Sequence, residues 1–242
     1  MPPQTPTDTV IYAIGDIHGR LDLIDAIHQR IAADAMRRTA RRRQVVYLGD
    51  YVSRGPDSRG VVDRVREWLP EGFERITLKG NHEDLMLRFL EGEIGTGRHW
   101  LDYGGLEAMA AYGVDIADRD ARDDASVIAL GDGLARRLPP SHLEFFRALR
   151  ISHRAGDYLF VHAGVRPGVP LSRQSDRDCL WIRKAFLHSD ADHGAVIVHG
   201  HCISEQPEMR HNRIGIDTGA YRSGVLTCLV LDGENCSFLQ TG

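Results

Sequence analysis

Cysteine is scarce in this 242-residue chain, and Cys179, Cys202, Cys228 and Cys236 show no C-x-x-C spacing. That excludes a thiolate zinc site and a dense disulfide framework. No apolar run approaches the roughly 20 residues that a helical bilayer span needs, so no membrane partner is expected. Neither sign of charge dominates: 30 Lys and Arg stand against 34 Asp and Glu, a net charge of −4, which gives no overall drive toward nucleic acid. The N-terminal stretch MPPQTPTDT lacks the basic and apolar regions of a secretory leader, and a cytoplasmic, reduced protein is the expectation. Histidine, by contrast, is plentiful, with 12 residues. Any metal bound here must be held by nitrogen and oxygen.

The 42% hydrophobic and 26% charged content is that of an ordinary globular chain of one large domain. Short β-rich runs alternate with helical periodicity, which points to an α/β layered fold. The expected strands are Val10–Ile14, Val45–Leu48, Ile76–Leu78, Tyr158–Val161, Val196–Val198, Ile214–Ile216 and Val225–Leu231. No Pro/Gly/Ser-rich linker divides them, so residues 1–242 are read as a single domain, with 1–8 expected to be flexible. The stretch from about 91 to 150 lacks a strand and is read as a helical insertion, its last helix started by Pro139-Pro140. Arg37, Arg38, Arg41, Arg42 and Arg43 follow the amphipathic stretch Leu21–Met36. They are read as the solvated C-terminal end of a helix, where cations complement the macrodipole.

The informative residues stand just after the strands. Gly-Asp-Ile-His-Gly (15–19), Gly-Asp-Tyr-Val-Ser-Arg-Gly (49–55), Lys-Gly-Asn-His-Glu (79–83), His-Ala-Gly (162–164) and His-Gly-His (199–201) each follow one. In open α/β sheets ligands gather beyond the carboxyl ends of strands, so residues remote in sequence can converge on one edge. Each motif alone is weak. Five in order, all of metal-ligand type, are explained together by one two-metal site. Carboxylate and amide oxygens mixed with imidazoles suit Mn²⁺, with Fe and Zn²⁺ as alternatives.

This ordered set resembles the calcineurin-like metallophosphoesterases, in particular the bacterial serine/threonine phosphatases of the phosphoprotein phosphatase type. The resemblance spans nearly the whole chain and extends through Leu180-Trp181-Ile182-Arg183 and Ile216-Asp217-Thr218-Gly219-Ala220. It implies a central β-sandwich flanked by helices, four layers deep (αββα), with a helical insertion. It also implies two divalent metal ions, most simply manganese: Asp16, His18 and Asp50 would hold the first, and Asp50, Asn81, His162 and His201 the second. A hydroxide bridging the metals would attack phosphorus without a phosphoenzyme. Arg54, together with Arg183, would clamp the phosphoryl oxygens, and His82 would protonate the leaving group. Ser53, His199 and Cys202 would stand behind these groups.

One departure affects the substrate. The protein phosphatases carry a second acid in GDxxDRG that orients the catalytic histidine, and this chain has Ser53 there. Symmetrical diadenosine tetraphosphate hydrolases, close relatives, also lack that acid, whereas Glu83 and the Trp-Ile-Arg segment look like a protein phosphatase. The leading expectation is hydrolysis of phosphoserine or phosphothreonine in a phosphoprotein. Its alternative is symmetrical cleavage of a dinucleoside tetraphosphate, and a third reading is a weakened, phospho-binding pseudo-enzyme. His99, Trp100 and Tyr103 in the insertion could line a substrate cleft, although packing is the expected role of Trp100 and Tyr103. The oligomeric state is not encoded in any feature of the sequence.

Overall fold

In the computed structural model, which describes residues 2–117 and 123–242, β1 (Thr9–Ile14) is buried at every position. A strand covered on both faces needs an unbroken apolar run, and TVIYAI supplies one. From β1 the chain winds through α1 (Leu21–Ala35), β2 (Arg42–Tyr47), α2 (Ser58–Glu67) and β3 (Phe73–Thr77), the three strands pairing in parallel. Then comes a helical stretch: α3 (Asn81–Leu90), α4 (Ile94–Trp100), a π-turn at Leu101–Gly105, α5 (Leu106–Ala111), α6 (Asp124–Arg137) and α7 (Pro140–Arg147). β4 (Ser152–Ala155) and β5 (Tyr158–Val161) follow, with α8 (Asp176–Trp181), α9 (Lys184–Leu187), β6 (Val196–His199), β7 (Glu208–Met209) and β8 (Arg213–Gly215). The chain closes with α10 (Ala220–Ser223), β9 (Thr227–Asp232) and β10 (Asn235–Gln240).

Two five-stranded mixed sheets result, in the orders β10-β9-β1-β2-β3 and β4-β5-β6-β8-β7. Ile11, Ala13, Val46 and Leu48 from one sheet meet Tyr158, Phe160, Val198 and Ile214 from the other in an apolar layer between them. The outer face of the first sheet is covered by α1, α2 and the helical stretch, around Ile24, Val62, Met86 and Phe146. The outer face of the second packs Leu159, Val161 and Ile197 against Cys179, Ile182 and Phe186 of the α8–α9 region. This is the expected αββα layering. The parallel strands β1, β2 and β3 send their C-terminal ends to one rim, and β5, β6 and β8 do the same in the second sheet.

The sequence reading needs local revision. α1 ends at Ala35 with no basic residue in its last turn, and Arg42 and Arg43 open β2 instead of closing a helix. Arg38 is bound to Asp34 and Asp232, which ties the helix end to β9. β4 and β10 were not anticipated, because half-exposed edge segments such as SHRA and NCSFLQ carry no apolar run. The N-terminal residues make specific bonds: Thr5 N donates to the Gly233 carbonyl and the Thr5 hydroxyl to that of Thr9.

Candidate active site

The rim where the strands end collects the motif residues in one buried cluster. Asp16 and His18 follow β1, Asp50 follows β2, Asn81 and His82 open α3 after β3, His162 follows β5 and His201 follows β6. The backbone there is forced into unusual conformations. Of the six non-glycine residues with positive φ among the described residues, five lie here: His18, Asp50, Ser53, Arg54 and His201. Such conformations persist only where the surroundings over-determine them, and they concentrate at functional sites. The glycines serve close approach. A Cβ on Gly80 would stand 2.1 Å from Asp50 Oδ1, and one on Gly200 would stand 2.0 Å from Asp16 Oδ1.

Glu83 is what fixes the β2 loop. Its buried carboxylate accepts from the backbone N–H groups of Asp50, Tyr51, Val52 and Gly80 at 2.9, 2.9, 3.2 and 2.9 Å. Ser58 Oγ accepts from Ser53 N, and the Gly104 carbonyl accepts from Arg54 N, so three separate elements hold one short loop.

Asp50 sits in the middle. Its Oδ2 lies 3.3 Å from His18 Nε2 and 4.0 Å from His82 Nε2, while its Oδ1 lies 3.6 Å from His162 Nε2 and accepts from His82 N at 3.0 Å. Two clusters of metal-ligand atoms share it: His18, Asp50 and His82 on one side, Asp50, His162 and His201 on the other. The imidazoles are set by their outer nitrogens. His18 Nδ1 donates to the Val52 carbonyl and His162 Nδ1 to that of Leu48, both at 2.9 Å, which leaves each Nε2 lone pair facing inward. His162 Nε2 and His201 Nδ1 both approach the Asn81 side-chain oxygen, at 2.8 and 2.9 Å. Lone pairs and carboxylate oxygens converging on one spot, with no proton to share between His162 Nε2 and Asn81, form a site that a cation completes. The residues present therefore fit a pair of divalent ions.

The charges agree. Burial raises the carboxyl of Asp50 to about 7 and lifts that of Asp16 well above the usual range, with Asp217 and Asp50 as like-charged neighbours of Asp16. Burial also lowers His18, His82 and His201, and takes His162 to about 4. Neutral imidazoles beside carboxylates that lack counter-charge are the state that a bound cation would reward.

Some expected residues are placed differently. Asp16 is in neither tight cluster; its carboxylate accepts from His201 N at 3.3 and 3.1 Å and neighbours Asp217. Arg54 lies within the cluster, donating to His18 Nε2 at 2.9 Å and His82 Nε2 at 3.1 Å, and its guanidinium stacks 4.8 Å from the Tyr221 ring centroid. Arg183 is exposed, yet its charge reaches Asp50, His162 and His201. His199 is buried against Phe186, its Nδ1 donating to the Gly200 carbonyl at 3.0 Å. Cys202 is half-buried beside the site. Ser53 does not face His82: its hydroxyl accepts from the Trp100 indole N–H at 2.9 Å, and His82 Nδ1 has no partner among the described residues. Trp100 is thus packed as expected, whereas Tyr103 is 54% exposed rather than packed. Asp217, at the end of β8, went unrecognised. The same rule that found the other five would have found it, since Ile214–Ile216 is an expected strand and an acid follows it.

Two packed mixed sheets whose strand ends converge on a buried carboxylate and imidazole cluster define a metallophosphoesterase. The chain belongs to the calcineurin-like phosphoesterase family, whose pattern matches residues 9–224. Among curated proteins it is similar to the asymmetrical bis(5'-nucleosyl)-tetraphosphatase PrpE of Oceanobacillus iheyensis, 22% identical over 234 residues, covering 88% of this chain and 85% of the relative. It is also similar to the symmetrical bis(5'-nucleosyl)-tetraphosphatase of Delftia acidovorans, 31% identical over 157 residues, covering 65% of this chain and 45% of that relative. Among solved structures, a candidate diadenosine tetraphosphatase superposes with a TM-score of 0.64 at 18% identity, covering 99% of this chain and 98% of that one, a likeness of fold alone. These relatives overturn the expectation of a serine/threonine protein phosphatase. The physical reason is at Ser53: the acid that would support a protonated His82 is missing, and the serine in its place is committed to Trp100.

Proposed function

We propose that the protein is a metal-dependent hydrolase of dinucleoside tetraphosphates. The observation that carries this reading is His82 Nδ1, buried and without a partner among the described residues, with Ser53 turned to Trp100. A histidine with no carboxylate behind it is a poor donor to an alkoxide, whereas a nucleoside phosphate leaves as a stabilised anion and asks little of a general acid. The tetraphosphatase relatives support the same substrate class.

Asp16, His18 and Asp50 would hold one divalent ion, and Asp50, Asn81, His162 and His201 the other, with manganese the ion that the oxygen and imidazole set suits first. Two such ions supply Lewis-acid polarisation of the phosphoryl oxygens and an activated water near neutral pH. The chain itself does the rest. Arg54, stacked on Tyr221 and held at its backbone by Gly104, presents a guanidinium fork to phosphoryl oxygens. Arg183, exposed at the rim, adds a second positive charge for the polyphosphate. His82, within hydrogen-bond reach of Arg54, would give its proton to the leaving oxygen.

Purified protein incubated with Mn²⁺ and diadenosine tetraphosphate should consume it, and Asp50→Asn should abolish turnover. Chromatography reads the products: two ADP molecules mean symmetrical cleavage, and ATP with AMP means asymmetrical cleavage. Intact substrate with the wild type would sink the proposal.

A further inference from the structure

Beside the metal ligands, though lined by none of them, lies a separate groove. Asn81 is the first residue of α3, and Asp84, Leu85 and Arg88 follow it at the spacings that place side chains on one helix face. Seven residues of helix carry that face about 10 Å away from the cluster. There the face forms one wall of a groove of about 650 Å³, a size within the roughly 300–1,000 Å³ of small-molecule sites. The opposite wall comes from α8, which contributes Asp176, Arg177, Leu180 and Trp181, and α4 closes the groove with Thr96 and His99.

One aromatic ring, that of Trp181, connects this groove to the catalytic cluster. Trp181 lies edge-on to His201 with centroids 6.2 Å apart, and 6.2 Å from it stands the ring of His99, itself 4.6 Å from Tyr103. The lining is mainly apolar and aromatic, yet it carries charge of both signs. Asp84 and Asp176 can accept from ribose hydroxyls or an exocyclic amine, and Arg177, without an ion-pair or hydrogen-bond partner among the described residues, can meet a phosphate. A flat base needs a π surface, a sugar needs acceptors and a phosphate needs a cation, and all three stand in that groove next to the cluster.

We propose that this groove seats one nucleoside of a dinucleoside polyphosphate, with its base against Trp181 and His99 and its phosphate end directed to the metal cluster. The inference rests on the substrate class proposed above but concerns a different set of residues. It is tested on the Mn²⁺-loaded protein with three variants: Trp181→Ala, Trp181→Phe and His99→Ala. Specificity is read as kcat/KM for diadenosine tetraphosphate divided by kcat/KM for p-nitrophenyl phosphate, which has no nucleoside. Trp181→Ala should lower that ratio about tenfold, chiefly through KM, as expected for loss of a base-stacking ring. Trp181→Phe should recover most of it, and His99→Ala should lower it less. An unchanged ratio in Trp181→Ala and His99→Ala would overturn the groove while leaving the substrate class intact.

A binding measurement covers the case in which diadenosine tetraphosphate is not cleaved. ADP should quench the indole emission of the wild type and fail to do so in Trp181→Phe, because Trp100 is fully buried, Trp68 is stacked on His28, and neither lines this groove. Equal quenching in both, or none in the wild type, would overturn the proposal whatever the enzyme hydrolyses.

Discussion

At the level of single residues, the pairing of Ser53 with Trp100 marks where this chain departs from the GDxxDRG pattern that it otherwise resembles. Ser53 has φ of +76° and its hydroxyl accepts the Trp100 indole N–H, while His82 Nδ1 has no partner among the described residues. Asp tolerates the left-handed region better than most residues, so Ser53→Asp can adopt the same backbone. Its carboxylate would favour the protonated imidazole and keep His82 available as a proton donor to higher pH. The expected outcome is a rise of about tenfold or more in turnover of an alkyl phosphomonoester relative to diadenosine tetraphosphate, with the alkaline limb of the pH profile displaced upward. Ser53→Asn, of similar size and without charge, should not reproduce it. If Ser53→Asp and Ser53→Asn gave the same ratio at equal metal content, the missing acid would not be what selects the leaving group.

At the level of elements, α1 carries a test of acid stability. His28 stacks on Trp68 at 3.8 Å and bonds the Tyr47 hydroxyl through Nε2 at 2.8 Å, so it links α1 to β2. Burial, and then the nearby Arg64 charge, lower its pKa to about 3. The unfolded chain takes up that proton near the ordinary value of about 6.5. Between the two values the unfolded state binds more protons, so this contribution to stability is full above about 6.5 and declines as pH falls toward 3. His28→Phe keeps the ring on Trp68 and removes the titration. Urea unfolding at a series of pH values should then give a shallower loss of stability on acidification, by up to about one proton. Parallel slopes would refute the assignment. The elements also show why some of the structure was legible. β1 and β5 announce themselves because both faces are buried and every residue after Thr9 in β1, and every residue of β5, is apolar or aromatic. The five ligand loops were legible for a similar reason: each needs a strand end and a particular donor, and both are visible in the order of residues. What was hidden depends on partners remote in the chain. Nothing at Ser53 foretells the ring of Trp100, and nothing at Arg54 foretells the Gly104 carbonyl, presented by a π-turn where Gly104 has φ of +98°. Positive φ at His18, Asp50 and His201 is likewise imposed by tertiary contacts that local sequence does not encode.

For the molecule as a whole, the cluster is a seam. Asp16, His18, Asp50, Asn81 and His82 hang from the first sheet, and His162, His201 and Asp217 from the second. The apolar layer between the sheets holds them together over most of their area, but at this rim buried carboxylates face each other with little counter-charge. A divalent ion drawing ligands from both sheets would relieve that repulsion and fasten the rim, and none of these ligands stays assembled in the unfolded chain. Binding to the folded state alone stabilises by about 2.7 kcal/mol at a hundredfold excess over Kd, which for a chain of this size is a rise of roughly 5–10 °C in Tm. Differential scanning calorimetry with EDTA and then with Mn²⁺ should show it. Asp50→Asn gives an effect of the opposite sign in the two states. Its amide can still accept from His82 N while removing a buried charge, so without metal it should melt at or above the wild type. With Mn²⁺ it should gain far less than the wild type, because the shared ligand is gone. A wild-type Tm unmoved by Mn²⁺, or an Asp50→Asn gain equal to that of the wild type, would mean that the two sheets are not joined through a metal at this rim.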